Sequence, residues 1–158
     1  LCIDPYKRGT DTYIVAATPF SGLKPPYDLN PVSIYTVAAA GHYKGFAVSN
    51  IDDRRSLEVA EDNAAVDWKI SLGMADYYSF GIKYANHSRI PVDVQWQILS
   101  TEGQPVDSGT VILQPSRAGK WPLLEWRTKS MINAGNYLLR LTIRKKTSQV
   151  YIASVSVK

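Results

Sequence analysis

Cysteine is nearly missing from this chain of 158 residues, and the lone Cys2 cannot form an intramolecular disulfide. A disulfide-stapled scaffold is thereby excluded, although the cysteine count alone does not fix the cellular compartment. Histidine is scarce as well. Neither His42 nor His87 has another His, Cys or carboxylate at metal-ligand spacing, which argues against a zinc site. No Gly-x-Ser-x-Gly elbow is present, and the ten glycines are dispersed without a phosphate-cradling pattern. No apolar run approaches the length of a bilayer span, so membrane insertion is not expected. The chain also does not open on a charged segment followed by an apolar one, and any export signal is expected to have been removed or to lie in a longer parent.

Charge of one sign does not dominate either. Lys and Arg number 18 against 14 Asp and Glu, a formal net charge of +4, but the basic residues are scattered. The only tight run, Arg144-Lys145-Lys146, stands before Thr147-Ser148, where a hairpin turn is expected, and reads as a solvated turn rather than a nucleic-acid footprint. The acids offer no catalytic pair. Asp52 and Asp53 sit beside Arg54 and Arg55, which favour the ionised carboxylate and so work against the raised acid that glycoside hydrolysis needs. Glu61 and Asp62 occupy a turn, Glu102 a hairpin, and Glu125 lies between two tryptophans. The chain by itself is not expected to be an enzyme.

What is present is a two-residue beat. Val92, Val94, Trp96 and Ile98 alternate with Asp93, Gln95 and Gln97, and Tyr137, Leu139, Leu141 and Ile143 with Arg140, Thr142 and Arg144. Tyr78, Phe80, Ile82 and Tyr84 keep the same period, as do Val66, Trp68, Ile70 and Leu72. Further strands are expected over Ile34 to Ala38, Phe46 to Ser49, Ser56 to Ala60 and Gln149 to Lys158. Turns are expected at Asp62-Asn63, Asn86-His87-Ser88, Glu102-Gly103 and Ala134-Gly135-Asn136, with a bulge or a second turn at Asp107-Ser108-Gly109. Strands of this kind each offer one apolar face, which two stacked antiparallel sheets can close. The fold class is therefore all-β, an antiparallel β-sandwich over residues 33–158. Residues 1–32 differ in character and read as a Pro-rich linker or leading arm, with one strand-like run from Tyr13 to Ala17, an extended Pro25-Pro26 segment and a turn at Tyr27-Asp28.

Aromatic residues are plentiful, with ten tyrosines and four tryptophans. Trp68 and Trp96 fall in phase with Val and Ile and are expected in the core, and Trp126, at a strand start, is expected to be buried. Trp121 follows Arg117-Ala118-Gly119-Lys120 and precedes Pro122, which places it at a loop tip as either a ligand platform or a lid over the core. Tyr43, in a loop between Gly41 and Gly45, is a second candidate. Flat rings of this kind can stack on the apolar faces of sugars while polar neighbours bond the hydroxyls.

The run Ala65-Val66-Asp67-Trp68-Lys69-Ile70, followed by Ala75-Asp76-Tyr77-Tyr78-Ser79-Phe80-Gly81-Ile82-Lys83-Tyr84-Ala85-Asn86, resembles the paired strands of family 6 and family 35 carbohydrate-binding modules. The later segment Gly119-Lys120-Trp121-Pro122-Leu123-Leu124-Glu125-Trp126-Arg127-Thr128, then Ile132 to Leu141, is similar to their Gly-x-Trp-x-x-Trp region. The resemblance implies a jelly-roll sandwich without catalytic activity, appended to a secreted bacterial glycoside hydrolase of the family 2, β-galactosidase-like kind, and holding it on a glycan. It implies an extracytoplasmic location and an upstream catalytic domain as partner. By position, Trp121 would stand near the loop-end sugar cleft and Tyr43 in the loop facing it; for a sugar stacked there, Asn50, Asp52 and Arg117 are the candidate polar partners. These families begin with an acidic strand that helps to hold a structural calcium. The matching stretch, Ile34 to Gly41, has no carboxylate, so no metal or other cofactor is expected. The other reading is a structural or interaction sandwich that packs on a catalytic neighbour and binds no sugar.

Overall fold

The computed structural model describes residues 32–158. The Tyr13–Ala17 run, the Pro25-Pro26 segment, the Tyr27-Asp28 turn and Cys2 lie outside the described residues. Eleven strands follow in order: β1 (Ser33–Thr36), β2 (Ala40–Lys44), β3 (Phe46–Ile51), β4 (Arg54–Val59), β5 (Ala64–Leu72), β6 (Ser79–Asn86), β7 (Val92–Leu99), β8 (Pro105–Leu113), β9 (Leu123–Arg127), β10 (Gly135–Ile143) and β11 (Val150–Val157). They form two antiparallel sheets, one in the order β3-β4-β11-β6-β9 with β1 also on β11, the other in the order β2-β5-β10-β7-β8. No helix among the described residues is long and apolar enough to cross a membrane.

The alternating residues supply the core between the sheets. Val66, Leu141 and Trp96 sit side by side on one rung of the five-stranded sheet, and Trp68, Leu139 and Ile98 on the next. All six are buried, as are Leu57, Phe80, Ile82, Ile152 and Val155 from the six-stranded sheet. Each fully buried aliphatic side chain of this size contributes about 1.5–3 kcal/mol relative to exposure. The long strands are therefore held by the same residues whose spacing announces them.

The expected strand Ile34 to Ala38 divides instead. After β1 the chain makes a short 3₁₀ turn, Val37–Ala39, and crosses from β11 in one sheet to β5 in the other. Two tertiary contacts hold this crossing: the Val37 side chain is buried in the core, and the Trp68 indole N–H donates to the Thr36 carbonyl at 3.0 Å. Gly41-His42-Tyr43 is not a loop but part of edge strand β2, with a register shift between Ala40 and His42. The Arg144–Lys146 run does not close a hairpin either. It joins β10 to β11 in opposite sheets, and the Lys146 amide donates to Asp62 Oδ1 at 2.7 Å.

Near Asp107-Ser108-Gly109 the irregularity falls between Ile98 and Leu99, which face Asp107 and Pro105, so Val106 is the extra residue of a bulge. Gly109 has a packing role. It stands opposite Trp96, and a Cβ built on it would lie 2.7 Å from the Trp96 indole nitrogen. The tryptophan covers the space that a side chain would need.

Candidate functional site

The β3–β4 hairpin is closed by a two-residue turn in which Ile51 pairs with Arg54. Asp52 and Asp53 have φ of 55° and 56°, the pattern of a type I′ turn, which suits the right-handed twist of the flanking strands. Aspartate is among the few non-glycine residues that adopt this region readily. Leu57 and Val59 point into the core, so strand alternation turns Arg54, Ser56 and Glu58 to the outer face of the six-stranded sheet. On the neighbouring strand, Val150 and Ile152 enter the core while Tyr151 between them faces outward, paired with Glu58 on one side and Ala85 on the other.

Trp121 reaches this face from the β8–β9 loop. The loop is tied at its base by a reciprocal pair: the Ser116 amide donates to the Asn86 carbonyl at 2.8 Å, and the Asn86 amide to the Ser116 hydroxyl at 3.0 Å. It turns at Arg117–Lys120, where the Lys120 amide donates to the Arg117 carbonyl at 3.0 Å and Gly119 takes a φ of 78°. The Pro122 carbonyl then accepts from the Tyr84 amide at 3.2 Å, fixing the chain just after the tryptophan. The Trp121 indole N–H donates to Asp52 Oδ2 at 3.2 Å. Its ring lies 6.3 Å from that of Tyr151 at a tilt of 50°, and the Arg54 guanidinium carbon sits over it, 5.1 Å from the centroid. That separation is within the range of a cation–π contact.

Electrostatics at this cluster act on Tyr151. Burial first, then the nearby carboxylates of Glu58 and Asp52, push its phenol above the usual tyrosine range, so the hydroxyl stays protonated at neutral pH. His87 stands edge-on to the same ring at 6.0 Å. The Ser56 hydroxyl is buried and has no hydrogen-bond partner among the described residues. From the hairpin turn a groove of about 590 Å³ extends over the outer face, lined by residues that include Asp52, Asp53, Arg54, Lys83 and Ser154. Its size falls in the range of small-ligand clefts. The carboxylates and guanidinium of the hairpin thus line one end of an open groove, and the Trp121 ring adjoins them through Asp52 and Arg54.

The sequence candidates divide accordingly. Trp121 and Asp52 are in direct contact. Trp121 stands outside the buried core cluster, on the outer face of the sheet rather than over the core. Arg117 is exposed at the start of the turn that carries it. Asn50 is exposed on β3 opposite Arg55, and alternation turns it to the other side of the hairpin from Arg54. Tyr43 pairs with Val66 on an edge strand of the five-stranded sheet and is 39% exposed, so it does not occupy a loop facing Trp121. Arg54, Glu58 and Tyr151 were not candidates. The one available signal was Tyr151, an aromatic out of step with Val150 and Ile152 on a strand.

Among the described residues, no group of three or more His, Cys, Asp or Glu side chains is placed to hold a metal ion, and Ile34–Gly41 carries no carboxylate. On the opposite face of the molecule, Arg140 grips Asp67 through two bonds, Nε to Oδ1 at 2.7 Å and Nη2 to Oδ2 at 3.0 Å. The bonded carboxylate raises the arginine further above its ordinary value. This pair bridges β5 and β10 and is distant in topology from the Trp121 cluster.

No protein-family model and no curated protein sequence matches the chain. Solved structures do. A family 35 carbohydrate-binding module from Clostridium thermocellum superposes with a TM-score of 0.68 at 14% identity, covering 80% of this chain and 97% of its own. A family 6 module of Cellvibrio mixtus lichenase 5A, solved in complex with cellotriose, gives a TM-score of 0.62 at 10% identity over 80% of this chain and 95% of its own. The GH26-CBM35 β-(1,4)-mannanase of Podospora anserina gives 0.58 at 14% identity, covering 82% of this chain but 28% of the enzyme. The fold is the antiparallel β-sandwich of these modules.

Proposed function

We propose that this chain is a non-catalytic carbohydrate-binding module, the accessory domain of a secreted bacterial glycoside hydrolase, which holds its catalytic partner on a glycan outside the cytoplasm. The observation that carries the reading is the Trp121 cluster. An indole fixed by the Asp52 carboxylate stands on an outer sheet face, in contact with Asp52 and Arg54, two residues that line a groove. A sugar needs both parts, a flat apolar surface for its C–H face and convergent polar groups for its hydroxyls. The fold supports the same reading, since one neighbour was solved with cellotriose and another is part of a mannanase that also carries a GH26 domain.

The test is calorimetric titration of the purified chain with plant-wall oligosaccharides and galactosides, repeated with Trp121→Ala. Trp121 lies outside the core cluster, so the variant should keep its fold while losing affinity by about tenfold or more, as for the removal of a central aromatic anchor. Absence of binding to every glycan would refute the reading and favour a sandwich that only buttresses its neighbour.

A further inference from the structure

We propose that Arg54 is the specificity-determining residue of this site: its guanidinium covers one face of Trp121 and itself lines the groove, so a neutral glycan entering from the groove reaches the ring only by displacing it. The inference rests on the reading of Trp121 as a sugar platform.

The guanidinium lies over the indole at 5.1 Å from its centroid. A planar, weakly hydrated cation is a good partner for that surface, and a sugar's C–H face seeks the same negative π-face. The two cannot share one face, and on the groove side it is Arg54 rather than Trp121 that lines the wall. The hairpin sets where this exposed side chain starts. Arg54 is the first residue of β4, its backbone is held opposite Ile51, and the type I′ turn precedes it. The same turn supplies Asp52, whose carboxylate accepts from the Trp121 indole N–H and so orients the ring that Arg54 covers. Ring and cap therefore come from one device.

Displacement has somewhere to lead. Glu58 faces outward on the same side of β4, two alternations along, and Asp52 and Asp53 precede Arg54 in the turn. A guanidinium leaving the ring meets carboxylates close by and does not have to remain unpaired.

The experiment compares the wild type, Arg54→Ala, Arg54→Lys and Trp121→Ala, using neutral cello-, manno-, xylo- and galacto-oligosaccharides in calorimetric titrations. Acrylamide quenching of tryptophan fluorescence without sugar adds a readout independent of any ligand. Removing an exposed cation–π competitor should tighten neutral-sugar binding by about two- to fivefold in Arg54→Ala, with Arg54→Lys in between. Quenching should increase in Arg54→Ala, and the increase should vanish when Trp121→Ala is also present. If the wild type binds through Trp121 and Arg54→Ala binds equally or more weakly, the inference fails while the platform reading stands. If no form of the chain shows Trp121-dependent binding, the platform reading fails and the inference falls with it.

Discussion

Asn86, the last residue of β6, is fully buried and its side chain makes four hydrogen bonds. Nδ2 donates to the Ile90 carbonyl at 2.7 Å and to the Leu113 carbonyl at 2.9 Å, while Oδ1 accepts from the Ser88 amide at 3.0 Å and the Ser88 hydroxyl at 2.6 Å. Replacing it with alanine removes all four, but water can reach some of the abandoned groups. Ile90 is 52% exposed and Ser88 half-buried, so their losses are worth about 0–1 kcal/mol each. Leu113 is fully buried, and its unpaired carbonyl costs about 1–3 kcal/mol. Asn86→Ala should therefore destabilise the domain by about 1–5 kcal/mol, read as a lower urea midpoint at an unchanged slope. Hydrogen exchange at the Ser88 amide should quicken first.

Asn86→Asp sharpens the argument. An ionised carboxylate would set an acceptor against the Ile90 and Leu113 carbonyls in a buried position, which raises its pKa. The folded state then binds a proton more readily than the unfolded one. Relative to the wild type, stability should recover as pH falls through the raised folded pKa towards the unfolded value, because the protonated acid can donate to one carbonyl. At pH 7 this variant should be no more stable than Asn86→Ala. A cost below about 1 kcal/mol for the alanine variant, against the range worked from unsatisfied carbonyls, or a pH-independent deficit for the aspartate, would refute the reasoning.

Gly109→Ala should cost about 1–3 kcal/mol by overpacking, since its Cβ would meet the buried Trp96 indole at 2.7 Å; a neutral outcome in urea unfolding would show that the indole yields. Tyr84 and Tyr151 both titrate above the ordinary tyrosine value of 10.0, chiefly through burial. A raised folded pKa contributes stability that is present below the unfolded value and lost as pH rises through the folded one. The advantage of the wild type over a Tyr84→Phe, Tyr151→Phe double variant should thus shrink as the pH is raised beyond about 10, followed by urea midpoints across the alkaline range.

The long strands were legible in the sequence because side-chain alternation is local. The chain turns Val92, Val94, Trp96 and Ile98 to one side whatever lies around them, and burying that side requires a second layer. The same rule placed Trp68 and Trp96 in the core. It failed at Gly41-His42-Tyr43, where glycines suggested a loop but the hydrogen-bonding groups of β5 offered an edge to pair with, and at Val37, where the need to fill the core bends the chain between sheets. The Trp121 site was legible only in part. Trp121 and Asp52 could each be singled out as exposed and polar-flanked, but they stand 69 residues apart in the chain, and their contact follows from how the sheet is ordered. Tyr151 joins them because β11 lies between β4 and β6, and Arg54 because it follows Asp52 across the type I′ turn. Local periodicity determined which residues face outward; strand pairing between distant segments decided which of those outward residues meet.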